Sequence, residues 1–398
     1  MLSGSNILVG VTGGIAAYKT AELVRELKRQ HAAVRVVMTR AAMEFVSPLT
    51  FATLTEHPVL SDMFGSQDGG AGTIHIEAAR WANAIVICPA TANTIGKIAV
   101  GLADNLLTTL VMATTSPVIF CPAMNKEMYR NVAVQQNIDV LRRRGYHIVP
   151  PDTGELACGE VGWGRLADLS TIIDQIKFVV LGTKRLAGRK ILVTAGRTEE
   201  PLDPVRFITN RSTGKMGFAI AEMAALHGAE VTLIAGPNHL RVPSYLNYIA
   251  VQTADQMADA VLQIAPAQDV IIMAAAVADF KPERYSAQKI KKGDVATSIQ
   301  LVRTRDILKE LGCNKGNQIL VGFAVETEHE LQHAKQKLIE KKLDMIAVNN
   351  PLVPGAGFGT DTNQVTLLDA AGGIETLPLM TKHQVAEQIL ERVTHMLQ

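Results

Sequence analysis

The stretch Ile7-Leu8-Val9-Gly10-Val11-Thr12-Gly13-Gly14, followed by the run from Ile15 to Arg29, decides the fold class. A short apolar run makes a strand, the glycines make a turn, and the apolar residues of 15–29 recur at helical spacing. Outward from there, Val34–Met38, Ala84–Cys88 and Val118–Cys121 repeat the strand signal. Each is continuously apolar, as a strand covered on both faces must be, which makes the unit a parallel α/β sheet. The pattern restarts at Ile191-Leu192-Val193-Thr194-Ala195-Gly196. A helix is expected there from about Lys215 to His227, stopped by Gly228, with strands at Val231–Ile234, Val270–Met273 and Ile319–Val321. The expected architecture is two tandem doubly wound, Rossmann-like parallel-sheet domains, 1–188 and 189–398, meeting at the basic, glycine-containing stretch 182–190.

Composition narrows the function. The chain has 398 residues, 47% hydrophobic and 19% charged, a balance that suits large buried cores and excludes extensive disorder. A formal net charge of +1 offers no global field for a polyanion or an acidic membrane, and 5% aromatics give little material for stacking single strands. Nucleic acid and membrane are therefore not expected as partners. The four cysteines, Cys88, Cys121, Cys158 and Cys313, form no Cys-x-x-Cys pair, so a structural zinc site is not expected. The sequence shows no secretory signal pattern, and its longest uncharged stretch, Leu106–Asn125, is broken by Pro117 and Pro122. A cytoplasmic location is the expectation.

Two features point to nucleotides. Thr12-Gly13-Gly14 after a strand would bring backbone N–H groups and a helix N-terminus to a phosphate. It is not Gly-x-Gly-x-x-Gly, and Met38-Thr39-Arg40 lacks the acid that would hold an NAD ribose, so a mononucleotide fits better. In the second half, residues 196–214 separate a strand from its helix by far more than the usual two to six residues, which marks a functional loop at the ligand-binding edge. Gly214-Lys215 is not a P-loop, and no Gly-x-Ser-x-Gly elbow is present.

Pro122-Ala123-Met124-Asn125-Lys126-Glu127-Met128 resembles the Pro-x-Met-Asn-x-x-Met motif of the flavin-dependent cysteine decarboxylases, which act on phosphopantothenoylcysteine and on peptidyl cysteines. Gly13–Lys19, His75, Pro89–Thr94 and Gly101–Leu107 follow the same family's order, so the first domain resembles a flavodoxin-like flavoprotein. The second resembles the phosphopantothenate–cysteine ligases through Glu200–Arg206, Asn210–Gly217, Ala274–Asp279 and Lys289-Ile290-Lys291-Lys292. The whole chain resembles fused bacterial enzymes of coenzyme A synthesis.

That resemblance implies two reactions: CTP-dependent joining of 4'-phosphopantothenate to L-cysteine, then FMN-dependent decarboxylation to 4'-phosphopantetheine. The flavin has a chemical reason. The carboxylate leaving cysteine has no adjacent electron sink, and oxidation of the CH2–SH carbon to a thioaldehyde supplies one. By resemblance, His75 is a base near thiol and carboxylate, Asn125 binds the substrate carboxylate, and Cys158, in a glycine-rich stretch that could close as a lid, protonates the ene-thiol. FMN would lie near Gly14, Ile15, Ala16, Thr39, Thr91, Ala92 and Asn93. In the ligase half, Asn210 would orient and polarise an acyl-cytidylate with Arg206 and Ala276 nearby, and Lys289 would neutralise the triphosphate with Mg2+. Further CTP contacts would be Ala274, Ala275, Asp279, Asp306, Phe323, Lys337 and Lys341, the two lysines sharing one helical face. Arg303-Thr304-Arg305-Asp306 departs from the relatives' usual Lys-Asn-Pro-Asp, so only Asp306 carries over. The metal ligands are unknown. The resemblance also implies a homo-oligomer, with the flavin domain trimeric and the ligase domain dimeric.

Two rivals make opposite demands. A nicotinamide oxidoreductase needs an acid where Thr39-Arg40 stands, and a regulatory flavoprotein that binds a partner expects loss of His75 or Cys158, both of which are present.

Overall fold

Continuous apolar runs become the central strands of two sheets in the computed structural model, which describes residues 2–63, 73–155, 159, 161–291, 298–326 and 328–398. The chain divides into two units, Met1–Gly182 and Thr183–Gln398. In the first, β1 (Asn6–Val11), β2 (Ala33–Met38), β3 (Ala84–Ala90), β4 (Val118–Pro122) and β5 (His147–Ile148) form a parallel sheet in the order β2-β1-β3-β4-β5. This is the flavodoxin-like order, whose switch point lies between β1 and β3. Ile7, Val9 and Val11 face one hydrophobic layer and Leu8 the other, which explains why the strand carries no polar residue after Asn6. An antiparallel hairpin, β6 (Asp152–Glu155) with β7 (Val161–Arg165), stands apart from the sheet.

The second unit comprises β8 (Lys190–Ala195), β9 (Glu199–Pro201), β10 (Phe207–Thr209), β11 (Glu230–Ala235), β12 (Asn247–Ala250), β13 (Val270–Met273), β14 (Phe280–Pro282), β15 (Leu301–Arg303), β16 (Ile319–Val325), β17 (Met345–Asn349), β18 (Thr362–Asn363), β19 (Val365–Asp369), β20 (Ile374–Thr376) and β21 (Met380–Thr381). Its main sheet runs β12-β11-β8-β13-β16-β17-β19-β20. The first six are parallel, and counted along the chain they give the 3-2-1-4-5-6 order of a dinucleotide fold. β19 and β20 extend it antiparallel.

Two stretches differ from the sequence reading. Residues 183–189 are not slack, because Leu186 is buried in the second unit's core and the Thr183 and Leu186 amides donate to the Leu226 and His227 carbonyls. The long 196–214 segment is also ordered, since β9 and β10 pair as an antiparallel hairpin within it. Short-range pairing of so few residues leaves no apolar periodicity to read.

The helix Lys215–Leu226 lies directly on β8. A Cβ on Gly217 would sit 2.6 Å from Ala195 Cβ and 2.7 Å from the Thr194 carbonyl oxygen. Alanine there gains about 1 kcal/mol of helix propensity, but overpacking costs about 1–3 kcal/mol, and backbone atoms cannot move aside cheaply. Gly217→Ala is therefore expected to lower the melting temperature of the second unit. An unchanged or raised melting temperature would contradict the close approach.

Candidate active sites

In the first unit, a cavity of about 1250 Å3 opens at the switch point between β1 and β3. Several helix starts line it. The 3-10 turn Ile15–Tyr18 follows Gly14, and helices begin after Thr39, Thr91 and Asn125. Thr39 Oγ1 accepts from the Ala42 amide, Thr91 Oγ1 from the Thr94 amide and Asn125 Oδ1 from the Glu127 amide. Such caps are worth about 1 kcal/mol each, and they leave the other first-turn N–H groups available to an anion. Gly14, Ile15, Ala16, Thr39, Thr91, Ala92, Asn93 and Asn125 all line this one cavity.

Strand ends are locked together below it. Buried Thr12 donates from Oγ1 to the Pro89 carbonyl at 2.7 Å and accepts from the Thr91 amide at 3.1 Å, and Thr20 donates to the Cys88 carbonyl at 2.8 Å. Gly13 admits no side chain, because a Cβ would lie 2.4 Å from Ala41 Cβ. The β6–β7 hairpin closes one wall: the Met124 amide donates to the Gly164 carbonyl at 2.9 Å, and Gly164, Arg165 and Leu166 line the cavity. Cys158, expected in a glycine-rich stretch that could close as a lid, lies outside the described residues. His75 sits in the helix Ile74–Trp81 and is not among the cavity's described lining residues. Its Nδ1 is buried and has no hydrogen-bond partner among the described residues.

A bound mononucleotide flavin fits this cradle on the molecule's own terms. Helix N-termini supply phosphate donors, and the half-exposed Ile15, Tyr18 and Met128 offer apolar surface to a ring system.

In the second unit, the switch point lies between β8 and β13. Arg197 and Ala276 form a bridge there, and Asn210 Nδ2 donates to the carbonyls of Ala276 at 3.1 Å and Val277 at 3.2 Å. Sequence positions 66 and 67 residues apart are thus joined by one amide. Thr194 Oγ1 accepts from the Ala275 amide and Thr198 Oγ1 from the Ala278 amide, so Ala274–Asp279 are held by three side chains from the β8 side. Both threonines are fully buried. Arg206 lies against Asp203, with Nε at 3.0 Å and a terminal nitrogen at 2.7 Å from Oδ2, and donates to the Ile290 carbonyl at 2.6 Å, next to exposed Lys289.

The remaining expected residues are spread along the neighbouring strands. Phe323 is half-buried on β16. Lys341 Nζ binds Asp306 Oδ1 at 3.0 Å, which joins two expected residues, while Asp306 also caps the helix Ile307–Cys313. Lys337 binds Glu326 at 2.6 Å. The helix carrying Lys337 ends at Glu340, leaving Lys341 as its C-cap, and the two lysines engage different carboxylates. Burial pushes Glu326 up, but Lys337 and His333 outweigh it and hold its carboxyl below the ordinary range. A smaller cavity of about 400 Å3 at the ends of β11 and β12 includes none of the expected nucleotide residues.

Two family descriptions match the sequence: "Flavoprotein" over residues 1–181, and "DNA/pantothenate metabolism flavoprotein C-terminal domain" over residues 186–397. The coenzyme A biosynthesis bifunctional protein CoaBC of Bacillus subtilis (strain 168) is 47% identical over 396 residues, which is 99% of this chain and 97% of that protein. The chain belongs to the CoaBC family. The protein of the same name from Escherichia coli (strain K12) is 42% identical over 397 residues, 98% of this chain and 97% of that one. Among solved structures, the C-terminal domain of a CoaBC protein is 43% identical, with 54% of this chain and 98% of that chain covered and a TM-score of 0.47.

Sequence reasoning gave no role to Asp203, which in this CoaBC-family chain is almost completely buried. An aspartate flanked by leucine and proline reads as an ordinary turn residue. Burial raises its pKa, yet the amides of Val205 and Arg206, the Arg206 guanidinium and the Ile290 amide together lower it from 3.8 to about 2. A folded pKa below the unfolded value means the stabilisation is complete above about pH 4 and fades as pH falls toward 2. The difference in melting temperature between wild type and Asp203→Asn is expected to be constant from pH 7 to about 5 and to shrink below about 4. A difference that grows on acidification would contradict the ionised, hydrogen-bonded carboxylate.

Proposed function

We propose that the first unit is the FMN-dependent decarboxylase and the second the CTP-dependent ligase of two successive steps in coenzyme A biosynthesis. What carries this reading is that each unit has its own motif residues at its own switch point, Gly14, Thr91 and Asn125 in one and Asn210 and Ala276 in the other. The substrates are 4'-phosphopantothenate, L-cysteine and CTP, and the product is 4'-phosphopantetheine. The cytoplasm is the compartment this chemistry fits, and no helix among the described residues is long and apolar enough to cross a membrane.

Ligation comes first. The phosphopantothenate carboxylate attacks the α-phosphorus of CTP, pyrophosphate leaves, and the amine of cysteine then displaces CMP from the acyl-cytidylate. Arg206 and Lys289 offset the negative charge that builds on the triphosphate. Mg2+ enters with the CTP triphosphate. Asn210 orients the acyl-cytidylate from the turn after β13, which it braces; with its Nδ2 donating to the Ala276 and Val277 carbonyls, it acts by positioning rather than by polarising the acyl group directly.

In the first unit the helix starts at Ile15 and Ala92 hold the cofactor phosphate, and Thr39, Thr91 and Asn93 contact the rest. Bound FMN supplies reversible two-electron oxidation of the cysteinyl CH2–SH carbon, the electron sink that loss of CO2 requires. Asn125 binds the substrate carboxylate, and His75 takes a proton from the thiol. Cys158 returns a proton to the ene-thiol. The first unit assembles as a trimer and the ligase unit as a dimer, closed symmetric assemblies of the kind most soluble oligomers form.

Incubating the chain with phosphopantothenate, cysteine and either CTP or ATP, while following pyrophosphate and CO2 separately, tests the whole reading. Pyrophosphate and CO2 are both expected with CTP, and neither at a comparable rate with ATP. Cys158→Ser is expected to keep pyrophosphate release and lose phosphopantetheine formation by about 100-fold or more, the usual weight of a general acid. Normal turnover in that variant would remove Cys158 from the mechanism. Asn210→Asp is expected to release pyrophosphate but fail to capture cysteine, and equal loss of both half-reactions would give Asn210 another role.

A further inference from the structure

We propose that Asp203 is a positioning residue of the ligase site, holding Arg206 and the backbone beside Lys289 in one fixed relation; the proposal rests on reading the second unit as the ligase. Its two carboxylate oxygens do separate jobs. Oδ1 accepts the amides of Val205 and Arg206, both at 2.8 Å, which is all that a turn-capping aspartate needs. Oδ2 goes further, accepting Arg206 Nε at 3.0 Å, an Arg206 terminal nitrogen at 2.7 Å and the Ile290 amide at 3.2 Å. That Arg206 nitrogen also donates to the Ile290 carbonyl, so both backbone polar groups of Ile290 are taken by the Asp203–Arg206 pair.

The consequence is geometric. Residues 203–206 and 289–290 are more than 80 places apart in sequence, and an unpaired lysine on a long loop would sample many positions. A second contact, the Ser286 amide on the Leu202 carbonyl at 3.0 Å, ties the same two segments. The side chain of Asp203 is fully buried and that of Arg206 is 47% exposed, so the charge that faces a ligand is the arginine's and the aspartate acts only through it. Two donors of one guanidinium, Nε and a terminal nitrogen, converge on Oδ2, which fixes the group's orientation as a single hydrogen bond cannot.

The test separates this role from simple folding. Asp203→Asn can keep the Oδ1 bonds that make the turn, while its amide nitrogen confronts the Arg206 guanidinium and the Ile290 amide, donor against donor. Pyrophosphate release from CTP and phosphopantothenate is expected to fall by about tenfold or more, and Arg206→Gln to fall comparably. The double variant is expected to be no slower than Arg206→Gln alone, because both substitutions break one unit. Decarboxylation of supplied phosphopantothenoylcysteine should be unchanged.

A near-wild-type rate in Asp203→Asn, or losses that multiply in the double variant, would overturn the proposal. If Asp203→Asn does not fold, Arg206→Gln, Lys289→Gln and their double carry the test: non-multiplying losses support the shared clamp, and multiplying losses overturn it. Wild-type protein that releases no pyrophosphate at all would instead overturn the ligase reading itself.

Discussion

A parallel sheet buried on both faces can expose its functional groups only at its ends, and that constraint shapes both halves of this protein. Every crossover in such a sheet returns the chain to the same side, so loops and the first turns of the following helices collect at the carboxyl edge. First-turn N–H groups have no partner inside the helix, and a crowded edge of them attracts anions. In the first unit Thr39, Thr91 and Asn125 each satisfy one such group, and the gathered remainder surrounds the large cavity. The second unit fills its edge differently. Thr194, Thr198 and Asn210 fasten the Ala274–Asp279 segment across the switch point, bracing its backbone.

The strands and their parallel class were legible because burial on both faces removes every polar residue from β3, β4, β13 and β16 and, after Asn6, from β1. The helix Lys215–Leu226 was legible through its spacing and through Gly228, which adopts φ 90° just beyond it. What the sequence hid depends on contacts between distant residues. Leu186 looked like part of a linker and is core. The hairpin β9–β10 is too short to carry an alternation of its own. Asp203 shows nothing in its neighbours of the Ile290 amide that waits 87 residues away. The residues expected around a flavin, Gly14, Ile15, Ala16, Thr39, Thr91, Ala92 and Asn93, by contrast lie within a turn or two of their strands and line one cavity.

The near-zero net charge takes on meaning from the pairing of the cations. Lys337, Lys341 and Arg206 are each met by a carboxylate, Glu326, Asp306 and Asp203 respectively. These pairs are not alike. Lys341 and Asp306 are partly exposed, and pairs of that kind are worth at most about 1 kcal/mol, so a phosphate can replace the carboxylate with little loss. Asp203 has no exposed side-chain surface and cannot turn away to water, so Arg206 stays where it is put. The same count of charges thus divides into exchangeable partners for a ligand and one permanent brace.

The central claim is that two chemically independent sites share one chain, each built on its own sheet. Its most direct test is the rate of pyrophosphate release by the full-length protein after its flavin has been stripped. The rate is expected to equal that of the flavin-bound protein, with CO2 formation alone abolished and restored when FMN is returned. Loss of pyrophosphate release together with the flavin would contradict the division of the chemistry between the two units.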